Sequence, residues 1–129
     1  MAPSPRVLIA EDDLAFRRVI SFSIERRGWF AEAVASGELA LQRLASGESY
    51  DFLITDHQMP GISGIELVER IRESGNRSLQ IVLCTAKGME LNTELLVQKY
   101  NLLRVLNKPF SPTLLGTMLM QAYAAKPVQ

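Results

Sequence analysis

One stretch decides how the chain is organised: Leu53-Ile54-Thr55-Asp56-His57-Gln58-Met59-Pro60-Gly61. Together with Phe52, its first residues form a short apolar run. Such a run between turn signals is typical of a strand that is covered on both faces. The Pro60-Gly61 pair ends the run. Asp56 is therefore predicted to lie at the carboxyl end of a central strand, where open α/β sheets bind their ligands.

The composition indicates one ordinary domain. The 129 residues are 47% hydrophobic, and 14 basic residues balance 14 acidic ones, so no direct nucleic-acid partner is expected. No apolar run is long enough to span a membrane, and the N-terminus lacks the apolar core of a signal peptide. The single cysteine, Cys84, fits a reducing compartment. We expect a cytoplasmic protein without a membrane partner, one domain over residues 1–129 with a core from about 6 to 124, and no output domain.

Apolar runs alternate along the chain with segments of helical spacing. Strands are predicted over residues 6–10, 29–35, 50–56, 79–85 and 103–107. Helices are predicted over 14–27, from the Ser36 cap to Gly47, up to Ser74-Gly75-Asn76, over 90–100, and from Ser111-Pro112 to about Ala124. The first helix, capped by Asp13, should bury a mostly apolar stripe of Phe16, Val19, Ile20, Ser23, Ile24 and Arg27. Because helices connect successive strands, the strands must pair in parallel in a doubly wound α/β fold.

Four of the predicted strands each deliver polar groups to one edge of the sheet. Glu11 and Asp12 follow the first strand, Asp56 ends the third, Thr85 ends the fourth, and Lys108 follows the fifth. Clustered carboxylates repel one another unless a cation lies between them, and oxygen ligands favour Mg²⁺. A carboxylate beside Mg²⁺, an ammonium and a hydroxyl are the groups needed to receive a phosphoryl group.

Four motifs resemble those of the receiver domain of two-component response regulators, of the chemotaxis-receiver type. They are Leu8-Ile9-Ala10-Glu11-Asp12-Asp13, Thr55-Asp56-His57-Gln58-Met59-Pro60-Gly61, Leu83-Cys84-Thr85-Ala86 and Asn107-Lys108-Pro109-Phe110. The resemblance runs from Val7 to about Ala122. It implies a flavodoxin-like (βα)5 three-layer sandwich whose five parallel strands have the order 2-1-3-4-5.

The resemblance also implies which residues react. Asp56 would be the phosphoacceptor, Thr85 would hydrogen-bond the transferred group, and Lys108 would pair with it. The Lys108-Pro109 bond would be cis, which is plausible because it precedes proline. The protein would be a self-catalysed phosphoryl acceptor with slow autodephosphorylation rather than a turnover enzyme.

A metal site follows from the same resemblance. Asp12 and Asp56 would bind Mg²⁺ directly, Glu11 would hold it through water, and the backbone carbonyl of Gln58 would complete the protein ligands. Mn²⁺ could substitute for Mg²⁺. The side chains of Gln58 and Lys87, two residues beyond Asp56 and Thr85, would tune the lifetime of the phosphorylated state.

One position departs from the pattern of the family. Receivers usually carry Tyr or Phe three residues before the lysine, and this chain has Val105 there. The small Gly-Ala pair common before this strand is replaced by Tyr100-Asn101-Leu102. The inward swing of an aromatic ring therefore cannot report phosphorylation at this position. The departure concerns the relay of a signal and leaves the chemistry at Asp56 intact.

The predicted function is that of a receiver phosphorylated on Asp56 in a Mg²⁺-dependent step. The donor would be a sensor histidine kinase or a histidine phosphotransfer protein, and a conformational change would signal to a downstream protein. Arg17 and Arg18 form either a solvated helix face or a docking surface for the donor. Two alternatives stay open. One is a Mg²⁺-dependent phosphohydrolase with an aspartyl-phosphate, although Gln58 stands where its second acid usually lies; the other is a phosphorylation-independent protein-interaction module.

Overall fold

Strands and helices alternate along the chain, as predicted. The computed structural model describes residues 4–86 and 92–125. In order, the elements are β1 Arg6–Ala10, α1 Leu14–Glu25, β2 Phe30–Val34, α2 Gly37–Ala45, β3 Phe52–Asp56, α3 Gly64–Glu73, β4 Gln80–Thr85, α4 Thr93–Tyr100, β5 Arg104–Asn107 and α5 Pro112–Ala124. Each described helix therefore connects or follows strands of one sheet.

The strands form one parallel sheet in the order β2-β1-β3-β4-β5, which confirms the predicted flavodoxin-like topology. After β2 the chain crosses back over β1 to form β3 on its other side. The strand order thus reverses between β1 and β3, and ligands bind outside the carboxyl ends of strands at such a switch point. Asp56, the last residue of β3, pairs in register with Cys84 of β4 and lies at this switch point.

Two apolar cores cover the two faces of the sheet. Alternate strand residues Leu8, Leu53 and Ile81 contribute to one core with residues of α2, α3 and α4. Their neighbours Val7 and Phe52 contribute to the other core with residues of α1 and α5. Because both faces are covered, consecutive strand residues are apolar, which explains the run before Asp56.

The first helix differs in detail from the prediction. It ends at Glu25 instead of Arg27, because the amides of Arg27 and Gly28 turn back to bond the carbonyls of Ile24 and Glu25, at 3.1 and 2.9 Å. Gly28 takes a φ of +83°, which favours glycine. Val19 was predicted to be buried but is 47% exposed, because the inward face of α1 follows the four-residue spacing of the buried Ile20 and Ile24.

The predicted helix starts at Asp13, Ser36 and Ser111 are confirmed. Each of these side chains accepts a hydrogen bond from the amide three residues later, which satisfies one free donor of the first turn. The fourth helix begins at Thr93 behind an Asn92 cap, and its predicted start at residue 90 lies outside the described residues. Among the described residues, no helix has the length and apolarity needed to cross a membrane.

Candidate phosphoryl and metal site

Three carboxylates meet at the carboxyl edge of the sheet. Glu11 and Asp12 follow β1, Asp56 ends the neighbouring β3, and one ligand oxygen from each lies within 4.8 Å of the others. Glu11 and Asp56 are buried, at 2% and 6% exposure, whereas Asp12 is exposed. The structure thus brings together the three side chains that were predicted to hold a metal, which we call the acidic cluster.

Close packing from α3 holds the backbone at Asp56. The amide of His57 donates to the carbonyl of Cys84 at 2.7 Å, and the amide of Gly64 donates to the carbonyl of His57 at 2.9 Å. A Cβ on Gly64 would lie 2.3 Å from the carbonyl oxygen of Asp56, so a glycine is needed for this close approach. Sequence reasoning missed Gly64, although a glycine directly after the Ser63 cap was an available signal.

Lys108 brings a positive charge to the acidic cluster. Its Nζ lies 2.8 Å from a carboxylate oxygen of Glu11 and 3.3 Å from one of Asp56. The Lys108-Pro109 peptide bond is cis. Burial acts to lower the pKa of the ammonium, but its hydrogen bond to Glu11 and the charge of Asp56 together hold that pKa above its usual value.

The surroundings of Glu11 and Asp56 favour the binding of a cation. Burial, the largest influence, raises the pKa of both Glu11 and Asp56, and Lys108 offsets the rise only in part. The charge of Asp12 raises the pKa of Asp56 further. A divalent cation reverses this balance because it favours the ionised carboxylates. The donors are carboxylate oxygens, the ligands that hard cations prefer, so the residues present fit Mg²⁺.

Thr85 lies at the same edge of the sheet, but its hydroxyl is hydrogen-bonded to a residue outside the acidic cluster. Its buried hydroxyl donates to the Oδ1 of Asn107 at 2.9 Å, and the two residues are register partners of β4 and β5. To reach a group bound at Asp56, the hydroxyl of Thr85 must give up this bond. Sequence reasoning missed Asn107 because it stands directly before Lys108 and was taken only as the end of a strand.

The other predicted positions have separate surroundings. Gln58 is exposed, and its backbone N–H donates to the carboxylate of Asp56. Lys87 lies outside the described residues. Val105 is half-buried in β5 and packs against the core of α2, α3 and α4. Arg17 donates to the backbone carbonyl of Glu11 at 2.8 Å and so supports the loop that carries the acids, while Arg18 is exposed.

Comparisons with known proteins agree with this fold. The model of the response regulator receiver domain family matches residues 7–120. The chain is 31% identical over 87 residues to the transcriptional regulatory protein ResD of Bacillus subtilis, covering 67% of this chain and 35% of ResD. It is 33% identical over 87 residues to the phosphate regulon transcriptional regulatory protein PhoB of Rhizobium meliloti, covering 67% of this chain and 38% of PhoB. The match thus spans about a third of the length of these relatives.

A solved structure shares both the fold and part of the sequence. The receiver domain of Francisella response regulator 1452 superposes with a TM-score of 0.83 and 25% identity. The superposition covers 95% of this chain and 100% of that domain. The likeness therefore extends over nearly the whole sheet and its helices.

Proposed function

This chain belongs to the family of response regulator receiver domains, and we propose that Asp56 is its phosphoacceptor. Receiver domains receive phosphate from histidine kinases and are generally signalling modules rather than turnover enzymes. The observation that carries the proposal is the convergence of Asp56 with Glu11, Asp12 and Lys108 at the switch point of the sheet. An electron-rich carboxylate, a metal-binding pair of acids and an ammonium are the parts that phosphoryl transfer needs.

In the proposed step, a carboxylate oxygen of Asp56 attacks the phosphorus of a phosphohistidine. The bond between phosphorus and the imidazole nitrogen breaks, its electron pair stays on that nitrogen, and an acyl phosphate forms on Asp56. Lys108 moves its ammonium from the carboxylates towards the phosphoryl oxygens. The hydroxyl of Thr85 gives up its hydrogen bond to Asn107 and donates instead to one of these oxygens.

Mg²⁺, when bound, would neutralise the negative charge of the transferred group. In our proposal Asp12, Asp56 and the carbonyl of Gln58 hold the ion, Glu11 acts through water, and Mn²⁺ can replace it. The side chains of Gln58 and Lys87 set the rate of a slow self-hydrolysis by helping or shielding the attacking water. The all-oxygen donor set supports the metal assignment. The exposure of Gln58 two residues after Asp56 supports its role, and the role of Lys87 is proposed from its spacing after Thr85 alone.

We propose a sensor histidine kinase or a histidine phosphotransfer protein as the donor, and a downstream protein as the reader of the phosphorylated state. The balanced charge of the chain argues against direct contact with nucleic acid. The relatives ResD and PhoB are transcriptional regulators by name, and the match covers about a third of each. Their output is therefore not transferred to this chain.

The test is phosphorylation by acetyl phosphate, with and without Mg²⁺, followed by intact mass. We expect a single Mg²⁺-dependent addition of one phosphoryl group in the wild type and its loss in Asp56→Asn. Asp13→Asn is the matched control, because Asn also caps a helix and the change removes a nearby acid outside the acidic cluster. Labelling that persists in Asp56→Asn, or that ignores Mg²⁺, would overturn the proposal. Steady release of phosphate from small phosphomonoesters would point to a phosphohydrolase instead.

A further inference from the structure

We propose that Phe16 is a positioning residue for Lys108, and that the face of its ring holds the ammonium beside Asp56. The inference rests on the proposed function, in which Lys108 pairs with the phosphoryl group. The Nζ of Lys108 lies 4.5 Å from the centre of the Phe16 ring, within the range of a cation–π interaction. The same nitrogen contacts Glu11 and Asp56, so the ring is part of the surroundings of this ammonium.

The ring of Phe16 is itself held in place. It packs edge-on against Phe110, with 5.4 Å between the ring centres and 74° between the planes. Both rings are half-buried and pack against the core that α1 and α5 share. Phe16 lies in the first turns of α1, and Phe110 directly follows the Lys108-Pro109 pair. The contact therefore joins the two chain segments that carry the acids and the lysine.

An aromatic ring and a third carboxylate would hold the ammonium by different interactions. Its negative face attracts a cation without requiring a directed N–H donor, so the donors of Lys108 stay available for oxygen acceptors. The Lys108 side chain is 25% exposed, and a lysine loses considerable rotamer freedom when it is confined. A fixed ring confines the ammonium near Asp56 while the ammonium changes its partner from Glu11 to the phosphoryl oxygens.

The alternative is that Phe16 is only a core residue, as the apolar spacing of α1 suggests. An aliphatic side chain of similar volume would then serve equally well. The two readings differ in one property, the electron density on the face of the ring. Fluorine substituents withdraw that density and keep the shape nearly unchanged, so they separate the two roles.

The experiment replaces Phe16 by phenylalanines with one, three and five ring fluorines. The rate of Mg²⁺-dependent labelling by acetyl phosphate is measured for each, together with the affinity for beryllofluoride, which mimics the bound phosphoryl group. We expect both to fall stepwise with fluorine number, by about fivefold for the fully fluorinated ring. Phe16→Leu should lose a similar amount, and Phe16→Tyr should retain most of the activity.

Two controls isolate the contact with Lys108. The same series at Phe22, an exposed residue of α1 whose ring lies near Arg26, should leave labelling unchanged. In a Phe110→Leu background the Phe16 ring is held less firmly, but labelling should still fall with fluorine number, because the fluorines also weaken the attraction between the ring face and Lys108. A fully fluorinated Phe16 that labels at the wild-type rate would overturn the inference and leave the proposed function standing. An absence of Mg²⁺-dependent labelling in the wild type would instead reject the proposed function.

A second readout needs neither metal nor phosphate. Denaturant unfolding of Phe16→Leu, Lys108→Met and the double variant gives the coupling between the two side chains. We expect a coupling that corresponds to about a fivefold change in the unfolding equilibrium constant. Additive effects of the two substitutions would reject a direct interaction between the ring and the ammonium.

Discussion

Two partly buried cations of this domain have opposite surroundings. Lys108, at the carboxyl edge of the sheet, lies between the carboxylates of Glu11 and Asp56. Arg72, near the end of α3, is only 8% exposed, and its guanidinium donates to the backbone carbonyls of Tyr100, Asn101 and Asn76 at 2.8 to 3.1 Å. Within the described part of the chain, Arg72 forms no ion pair with a carboxylate.

The two surroundings shift the pKa values of Arg72 and Lys108 in opposite directions. Burial lowers the pKa of Arg72, and the nearby charge of Arg77 lowers it further. At Lys108 the carboxylate partners outweigh burial and raise the pKa. Carboxylates can take up protons when their cation leaves, whereas backbone carbonyls cannot do so near neutral pH. The Lys108 region is thus built to change partners, and the Arg72 region is built to hold the end of α4 against α3.

The largest effect on folding is expected from Arg72→Met. The substitution leaves three carbonyl oxygens without their donor, and the free energy of unfolding should fall by about 3 kcal/mol. Denaturant unfolding measures this loss. The labelling of Asp56 per folded molecule should not change, because Arg72 contacts neither the acidic cluster nor Lys108.

Arg70→Met is the matched control for this substitution. Arg70 lies on the same helix and forms an exposed pair with Glu66 four residues before it. An exposed pair of this type contributes at most about 0.5 kcal/mol. Equal losses for Arg70→Met and Arg72→Met would show that the carbonyl contacts add nothing to stability.

Lys108→Met should affect the labelling of Asp56 more than stability, which is the reverse of the effect expected for Arg72→Met. Removing the ammonium should slow Mg²⁺-dependent labelling by about a hundredfold, the usual cost of one lost charge-stabilising group. The loss of unfolding free energy should be smaller than for Arg72→Met, because Glu11 and Asp56 can take up protons. Labelling rates and denaturant unfolding of the same samples check both parts. A variant that labels normally but unfolds easily would reverse the comparison between the two cations.

The smallest expected effect is the pH dependence of the stability that Mg²⁺ adds to the folded protein. The raised pKa values of Glu11 and Asp56 mean that folding disfavours their ionised forms. The contribution of these acids to the stability of the metal-free protein is therefore greatest where both are protonated, and it falls as pH rises through their folded-state pKa values. Mg²⁺ at ten times its dissociation constant should add about 1.4 kcal/mol to the free energy of unfolding at neutral pH.

This increment should vanish as the pH is lowered, because protonated acids bind the ion poorly. Thermal unfolding with and without Mg²⁺ across a pH series measures it. Asp56→Asn should stabilise the metal-free protein at neutral pH and reduce the Mg²⁺ increment, whereas Asp13→Asn should keep it. An increment that persists in acid would place Mg²⁺ away from the acidic cluster.

Much of the site could be predicted because its residues stand at strand ends. An apolar run that stops at a polar residue marks the edge of a buried parallel strand, and Asp56, Thr85 and Lys108 could each be placed by that rule. Arg72 could not, since arginine is mostly exposed and its position in α3 offers no local signal of burial. Its partners come from residues 76, 100 and 101, which reach it only after α3 and α4 have packed.

Sequence patterns alone predict the order of strands and helices, the parallel sheet, and which polar groups lie at its carboxyl edge. These follow from local periodicity and from the geometry of βα crossovers, which a linear pattern encodes. The partners of those groups, in contrast, depend on how the elements pack in three dimensions. Thr85 bonds Asn107, Phe16 faces Lys108, and Gly64 lies against Asp56. Such contacts depend on distances of a few ångströms between separate elements, and these distances are set by how the helices pack on the sheet.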